Sequence, residues 1–96
     1  MPFFGFDREM ACSRADLARW LTELTGSDHG MAQTGQARIA LPEGWVDLIT
    51  EPVEARTVGL VRMRRLRVRF VPAEGAQAAA RAWVTRFDHH TQRGGG

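Results

Sequence analysis

The residues best placed to do chemistry lie between Val61 and Val71, where VRMRRLRVRFV alternates Arg65, Arg67 and Arg69 with Leu66, Val68 and Phe70. Side chains of a strand point to its two faces in turn, so the apolar set enters a core while the three arginines stand together outside. Their spacing of about 6.6 Å, twice the strand rise, is comparable to phosphate spacing along an extended single strand. Arginine holds phosphate and carboxylate bidentately, which makes this row, with Arg62 and Arg64, a candidate polyanion site. Single-strand recognition also needs aromatic side chains on which bases can stack, and Trp45 and Phe3 are the candidates. The competing reading pairs the arginines across strands with Asp47, Glu51 or Glu54, each pair contributing roughly a few tenths of a kcal/mol.

Other reactive residues form weaker patterns. His29, His89 and His90 match no metal-ligand spacing such as HxxxH, HExxH or CxxC, and no metal site is expected. A histidine near a helix C-terminus is favoured by the helix dipole, which accounts for His90. Cys12 stands at a strand end just ahead of a helix, where a thiol could act as a nucleophile. No base is fixed near it in sequence, and a small buried cysteine is the reading preferred over a nucleophile. Asp7 and Glu9 share one strand face, as edge solvation also requires. Gly26, Gly30 and Gly35 follow a helix and come without lysine, so they make neither a phosphate loop nor a dinucleotide fingerprint. No catalytic residue and no cofactor is therefore expected. The ending Arg93-Gly94-Gly95-Gly96 reads as a frayed tail rather than one built to thread an active site.

Composition narrows the classes. All 13 basic residues are arginine and the net charge is only +2. The absence of lysine reads as the coding bias of a GC-rich bacterial genome. So small an excess gives weak global steering of nucleic acid, and such a function would need local clustering. One cysteine permits no internal disulfide, and no apolar run approaches the length of a membrane span. A cytoplasmic location is the plain expectation.

These residues must be positioned by a modest set of elements. Residues 3 to 10 alternate as a strand, with Arg8 the one misfit on the apolar side. Ser13 reads as an N-cap with Asp16 as a capping-box partner, and Leu17, Ala18, Trp20, Leu21 and Leu24 recur at helical spacing up to a capping Gly26. Thr25 to Gly35 is expected as a loop, in which Asp28 and His29 are the only residues of interest. Ala37, Ile39 and Leu41 alternate as a strand, Pro42-Glu43-Gly44 supplies a turn, and Trp45 to Thr50 returns as the second arm of a hairpin. Val53 to Val61 has β-branched character. An unbroken strand through to Val71 would bury Arg62 and Arg64, so a bulge, bend or strand end is expected near Met63. Glu74 to His90 forms a second helix, with Ala76, Ala79, Ala80, Trp83, Val84 and Phe87 on one stripe and Arg81, Thr85, Arg86 and Asp88 outside it.

The expected fold is a two-layer α+β domain over residues 1–91 with a flexible glycine-rich tail at 92–96. An antiparallel sheet of four to five strands carries two helices on one face and leaves the other open. In element order alone it is similar to double-stranded RNA-binding domains and bacterial ribosome hibernation factors. Those families place a basic cluster at or along the last helix, where this chain opens with Pro72-Ala73-Glu74-Gly75-Ala76. The functional expectation is a small non-enzymatic binding domain, homodimeric or docked to a protein partner through the open face and without membrane contact. The alternative is a nucleic-acid or polyanion module that uses Arg65, Arg67 and Arg69.

Overall fold

The computed structural model describes the backbone of residues 5–53, 56–58, 61–63 and 65–93, and the side chains of all these except 56–58, 61–63, 92 and 93. The elements run β1 (Asp7–Met10), α1 (Arg14–Thr25), α2 (Met31–Thr34), β2 (Gln36–Leu41), β3 (Gly44–Pro52), β4 (Arg56–Val58), β5 (Val61–Met63), β6 (Leu66–Pro72) and α3 (Gln77–Arg93). Four strands form one antiparallel sheet in the order β1-β6-β3-β2, and β4 and β5 pair as a separate two-stranded sheet. The fold is the expected α+β arrangement, with β6 and β3 as its inner strands.

Alternation sorts each strand. Leu66, Val68 and Phe70 of β6, Val46 and Leu48 of β3, and Ala37 and Ile39 of β2 all turn to one face and are buried. Leu17, Trp20 and Leu21 of α1 and Ala80, Trp83, Val84 and Phe87 of α3 join them in a single core, so both helices cover the same side of the sheet. Phe87 is its hub. Its ring meets Phe70 at 5.4 Å and Trp20 at 6.4 Å edge-on, and stacks on Trp83 at 5.7 Å. Such aromatic pairs contribute about 0.5–1.5 kcal/mol each beyond the area they bury.

Local chemistry ends each helix where expected. The Ser13 hydroxyl accepts from the Asp16 N–H at 3.1 Å and Asp16 accepts from the Ser13 N–H at 3.0 Å, a complete capping box. Gly26 closes α1 in the left-handed region, its N–H donating to the Thr22 carbonyl. The hairpin turn places Leu41 opposite Gly44. A side chain at Gly44 would press on Ala73 and Ala76 at 3.2 and 3.3 Å, so glycine there lets the turn approach the start of α3.

Several expectations are corrected. The strand expected from residue 3 is described only from Asp7, and Phe3 lies outside the described residues. The 25–35 segment contains the one-turn helix α2, because Met31 is an anchor buried in the core. Asp28 and His29 are used locally: Asp28 accepts from the Gly30 N–H at 3.0 Å, and the His29 ring bonds the Thr25 hydroxyl at 2.8 Å. Asp88 does not lie outside the core stripe of α3; it is buried. It faces Arg8, and the misfit on the apolar side of β1 becomes half of an ion pair.

The segment from Val53 to Val71 is neither one strand nor a fifth strand of the main sheet. Pro52 pairs with Leu66 in the β3–β6 ladder and Arg56 with Met63 in the β4–β5 ladder, so the register advances by one residue between them. The break expected near Met63 falls there, with β5 ending at Met63 and β6 starting at Leu66.

Candidate functional site

The open face of the main sheet is built by the residues that alternate with the core. Reading across it, β1 contributes Asp7 and Glu9, β6 contributes Arg67 and Arg69 with Arg65 just ahead, β3 contributes Asp47 and Glu51, and β2 contributes Arg38. The charges fall in columns, acidic, basic, acidic, basic, and they balance. Arg69 stands opposite Asp7 on one side and Ile49 on the other, and Arg67 stands opposite Glu9 and Glu51.

Side-chain geometry follows that register. Arg69 Nη2 lies 3.6 Å from Asp7 Oδ2, and Arg65 Nε lies 3.9 Å from Glu9 Oε1. These long, exposed pairs are each worth about 0–1 kcal/mol. Arg67 has no carboxylate within 4 Å among the described residues. Arg38 grips Asp47 with both arms of its fork, Nε to Oδ1 at 2.8 Å and Nη2 to Oδ2 at 3.0 Å. That bond, with a smaller contribution from the Trp45 side chain, holds the Asp47 carboxyl below its ordinary range.

Of the partners expected for the arginine row, Glu51 lies in register with Arg67, Asp47 is taken by Arg38, and Glu54 lies outside the described residues. The partners that do pair with the row are Asp7 and Glu9 of β1. Only strand register identifies them, because β1 and β6 are almost 60 residues apart in the chain.

Trp45 is on the same face and 38% exposed, with the Arg38 guanidinium 4.4 Å from its ring centre. It does not interleave with the arginine row. Trp45 is four residues from Ile49, the partner of Arg69, a distance of about 13 Å along the strand. The nearer large apolar side chain is Val71, also 38% exposed. Arg62 lies in β5 with its side chain outside the description, and Arg64 is outside it altogether.

The remaining candidates resolve separately. His90 hydrogen bonds Glu23 at 2.7 Å, tying the end of α3 to α1. Among the described residues no three His, Cys, Asp or Glu side chains converge as a metal site. No described helix is long and apolar enough to cross a membrane. Cys12 is buried, and burial, with a smaller effect from Asp16, pushes its thiol up to about 11. A thiol so raised stays protonated near neutrality and is a poor nucleophile.

Beneath the open face, Arg8 and Asp88 form the one buried ion pair among the described residues, with side chains 12% and 8% exposed. Arg8 also donates to the Gly5 carbonyl and lies over the Phe70 ring at 5.0 Å. The Asp88 carboxyl is raised by burial in spite of the guanidinium beside it. Its Oδ2 accepts no hydrogen bond from a described residue, which is part of that penalty.

The chain matches no protein-family model, no curated protein and no solved structure. The likeness to RNA-binding and ribosome-hibernation domains therefore rests on element order alone.

Proposed function

We propose that this chain is a non-enzymatic binding domain whose partner is a second copy of itself, docked across the open sheet face. The observation that carries the reading is the charge order of that face, with Asp7 and Glu9 on β1, Arg67 and Arg69 on β6, Asp47 and Glu51 on β3, and Arg38 on β2. A two-fold axis parallel to the strands lays β6 of each copy over β3 of the other, and β1 over β2. Basic columns then meet acidic ones, and Arg67 meets Glu51 at the same level twice. The same operator sets Trp45 of one copy over the Val71 end of β6 in the other, covering the two exposed large apolar side chains among the described residues. An axis across the strands would stack β6 on β6, arginine on arginine. A patch that complements itself under a two-fold is what an isologous dimer requires.

Light scattering coupled to size exclusion, run across protein concentration, tests the reading. The parent is expected to move from monomer toward dimer as concentration rises. Arg67→Glu should shift it to monomer, and Arg67→Glu combined with Glu51→Arg should restore the dimer. A strict monomer at the highest concentration reached would retire the proposal.

A second reading, polyanion binding by Arg65, Arg67 and Arg69, is favoured by one observation, the lack of a carboxylate within 4 Å of Arg67 among the described residues. The balanced charge of the face counts against it, since counterion release needs a net positive surface. It requires single-stranded RNA binding that weakens with salt by roughly one log-log unit per phosphate neutralised and is lost in Arg65→Gln/Arg67→Gln/Arg69→Gln.

A further inference from the structure

Away from the centre of the open face, a cleft of about 250 Å³ opens between the start of α1 and the end of the sheet where β3 and β6 begin to part. Its floor is apolar, made by Cys12, Pro52, Val53 and Leu66, and Arg14 and Arg65 stand among its walls. We propose that this cleft binds a small organic carboxylate bearing an apolar group, with Arg14 as the principal anchor. The proposal does not rest on self-association, although the cleft and the open face share Arg65.

Arg14 is the residue that folding alone does not explain. It occupies the first position of α1, where the helix dipole disfavours a positive charge. The dipole is already answered by Ser13 and Asp16. No described carboxylate lies within 4 Å of Arg14; the nearest acid in sequence, Asp16, accepts from the Ser13 N–H and pairs with Arg19. Arg14 is exposed, and its guanidinium lies against the backbone just ahead of β2. A side chain at Gly35 would come within 2.9 Å of Arg14 Nε and Cζ and within 2.8 Å of Thr50 Oγ1, so Arg14 lies directly over a residue that has none. Gly35 is fixed in turn by Thr50, whose N–H and hydroxyl both donate to the Gly35 carbonyl, at 3.0 and 2.7 Å.

Arg65 adds a second cation whose carboxylate contact, to Glu9, is only 3.9 Å long. A guanidinium suits the bidentate geometry of a carboxylate. The floor selects for the rest of the ligand, since an inorganic anion would leave Leu66 and Val53 against water. The volume is below the about 300–1,000 Å³ of sites for drug-sized ligands, which limits the occupant to a few heavy atoms beyond the carboxylate. Cys12 contributes wall rather than reactivity, so the site is one of binding.

The test is an amide-resolved NMR titration of the whole chain with hexanoate, hexanamide and inorganic phosphate in parallel. Hexanoate should give saturable shifts centred on Ser13, Arg14, Val53, Arg65 and Leu66, with hexanamide and phosphate each at least about tenfold weaker, the loss expected for one charge-assisted contact. Arg14→Gln and Arg65→Gln should each lose about tenfold in hexanoate affinity while keeping a folded spectrum, and Arg86→Gln, on the exposed side of α3, should bind as the parent does. Absence of saturable hexanoate shifts would overturn the proposal. So would equal binding of hexanamide or phosphate, or parental affinity in Arg14→Gln.

Discussion

Arg8 and Arg67 stand one step apart in the same ladder, Arg8 opposite Val68 and Arg67 opposite Glu9. They nevertheless belong to different physical worlds. Arg8 points into the core, where its charge is removed from water and answered, among the described residues, by the Asp88 carboxylate of the last helix and the Gly5 carbonyl. Arg67 points to the open face, where water solvates it and carboxylates flank it on both neighbouring strands. Inside, a charge is tolerable only with a fixed partner, and losing that partner is costly. Outside, a charge is nearly free to keep or to lose, so it can be used for recognition.

The sharpest way to break that comparison is to remove the inner partner. Asp88→Ala should cost about 3–5 kcal/mol in urea unfolding, because it removes the carboxylate that faces the buried Arg8 guanidinium. The double variant Arg8→Met/Asp88→Leu should recover to the parent's stability or exceed it by about 1–4 kcal/mol, since well-packed apolar groups often replace a buried pair at no loss. A single Asp88→Ala costing under about 1 kcal/mol would place Arg8 in the same class as the outer row.

Acid separates the two faces by sign. Burial raises the Asp88 carboxyl above its ordinary 3.8, so the folded state holds that proton more tightly than the unfolded chain does. The stability this contributes is full below pH 3.8 and is lost as pH rises through the raised value. Asp47 is lowered, chiefly by its bond from Arg38, and Asp16, chiefly by the Ser13 N–H. Their contributions are present above 3.8 and are lost as pH falls through the lowered values. Comparison with Asp88→Asn cancels the Asp16 and Asp47 terms. Chemical unfolding should therefore find the parent's advantage over Asp88→Asn larger below pH 3.8 than at pH 7. A smaller advantage in acid would mean that Arg8 outweighs burial.

The smallest effect belongs to the outer row. Arg69→Gln and Asp7→Asn should each change unfolding stability by less than about 0.5 kcal/mol, and thermal melts in low and high salt should nearly coincide. A loss above about 1 kcal/mol from either would show that the open face is structural, which would weaken its case as a docking surface.

Much of this was legible in the chain. Two-residue alternation in Leu66-Arg67-Val68-Arg69-Phe70 sorted β6 correctly, and the helix-spaced run from Leu17 to Leu24 with Ser13 and Gly26 at its ends placed α1 within a residue. Two departures, at Arg8 and Asp88, share one cause. Arg8 broke the alternation of β1, and Asp88 followed Phe87 in a position that single-helix periodicity assigns to solvent. Each looks wrong alone, and each is explained by the other across 80 residues. A short run such as Met31–Thr34 has too few residues to carry a period, so only the burial of Met31 in the core accounts for α2.

By itself, the sequence determined which faces are apolar, where α1 begins and ends, and that the arginines of β6 stand on one side together, because these follow from local periodicity and capping. Tertiary structure alone decided what those arginines face. Register placed Asp7 and Glu9 beside them, turned a basic stripe into a balanced surface, and brought Arg14 over Gly35 at the edge of a cleft. Charge partners are set by strand order and helix docking, and neither is written in the spacing of neighbouring residues.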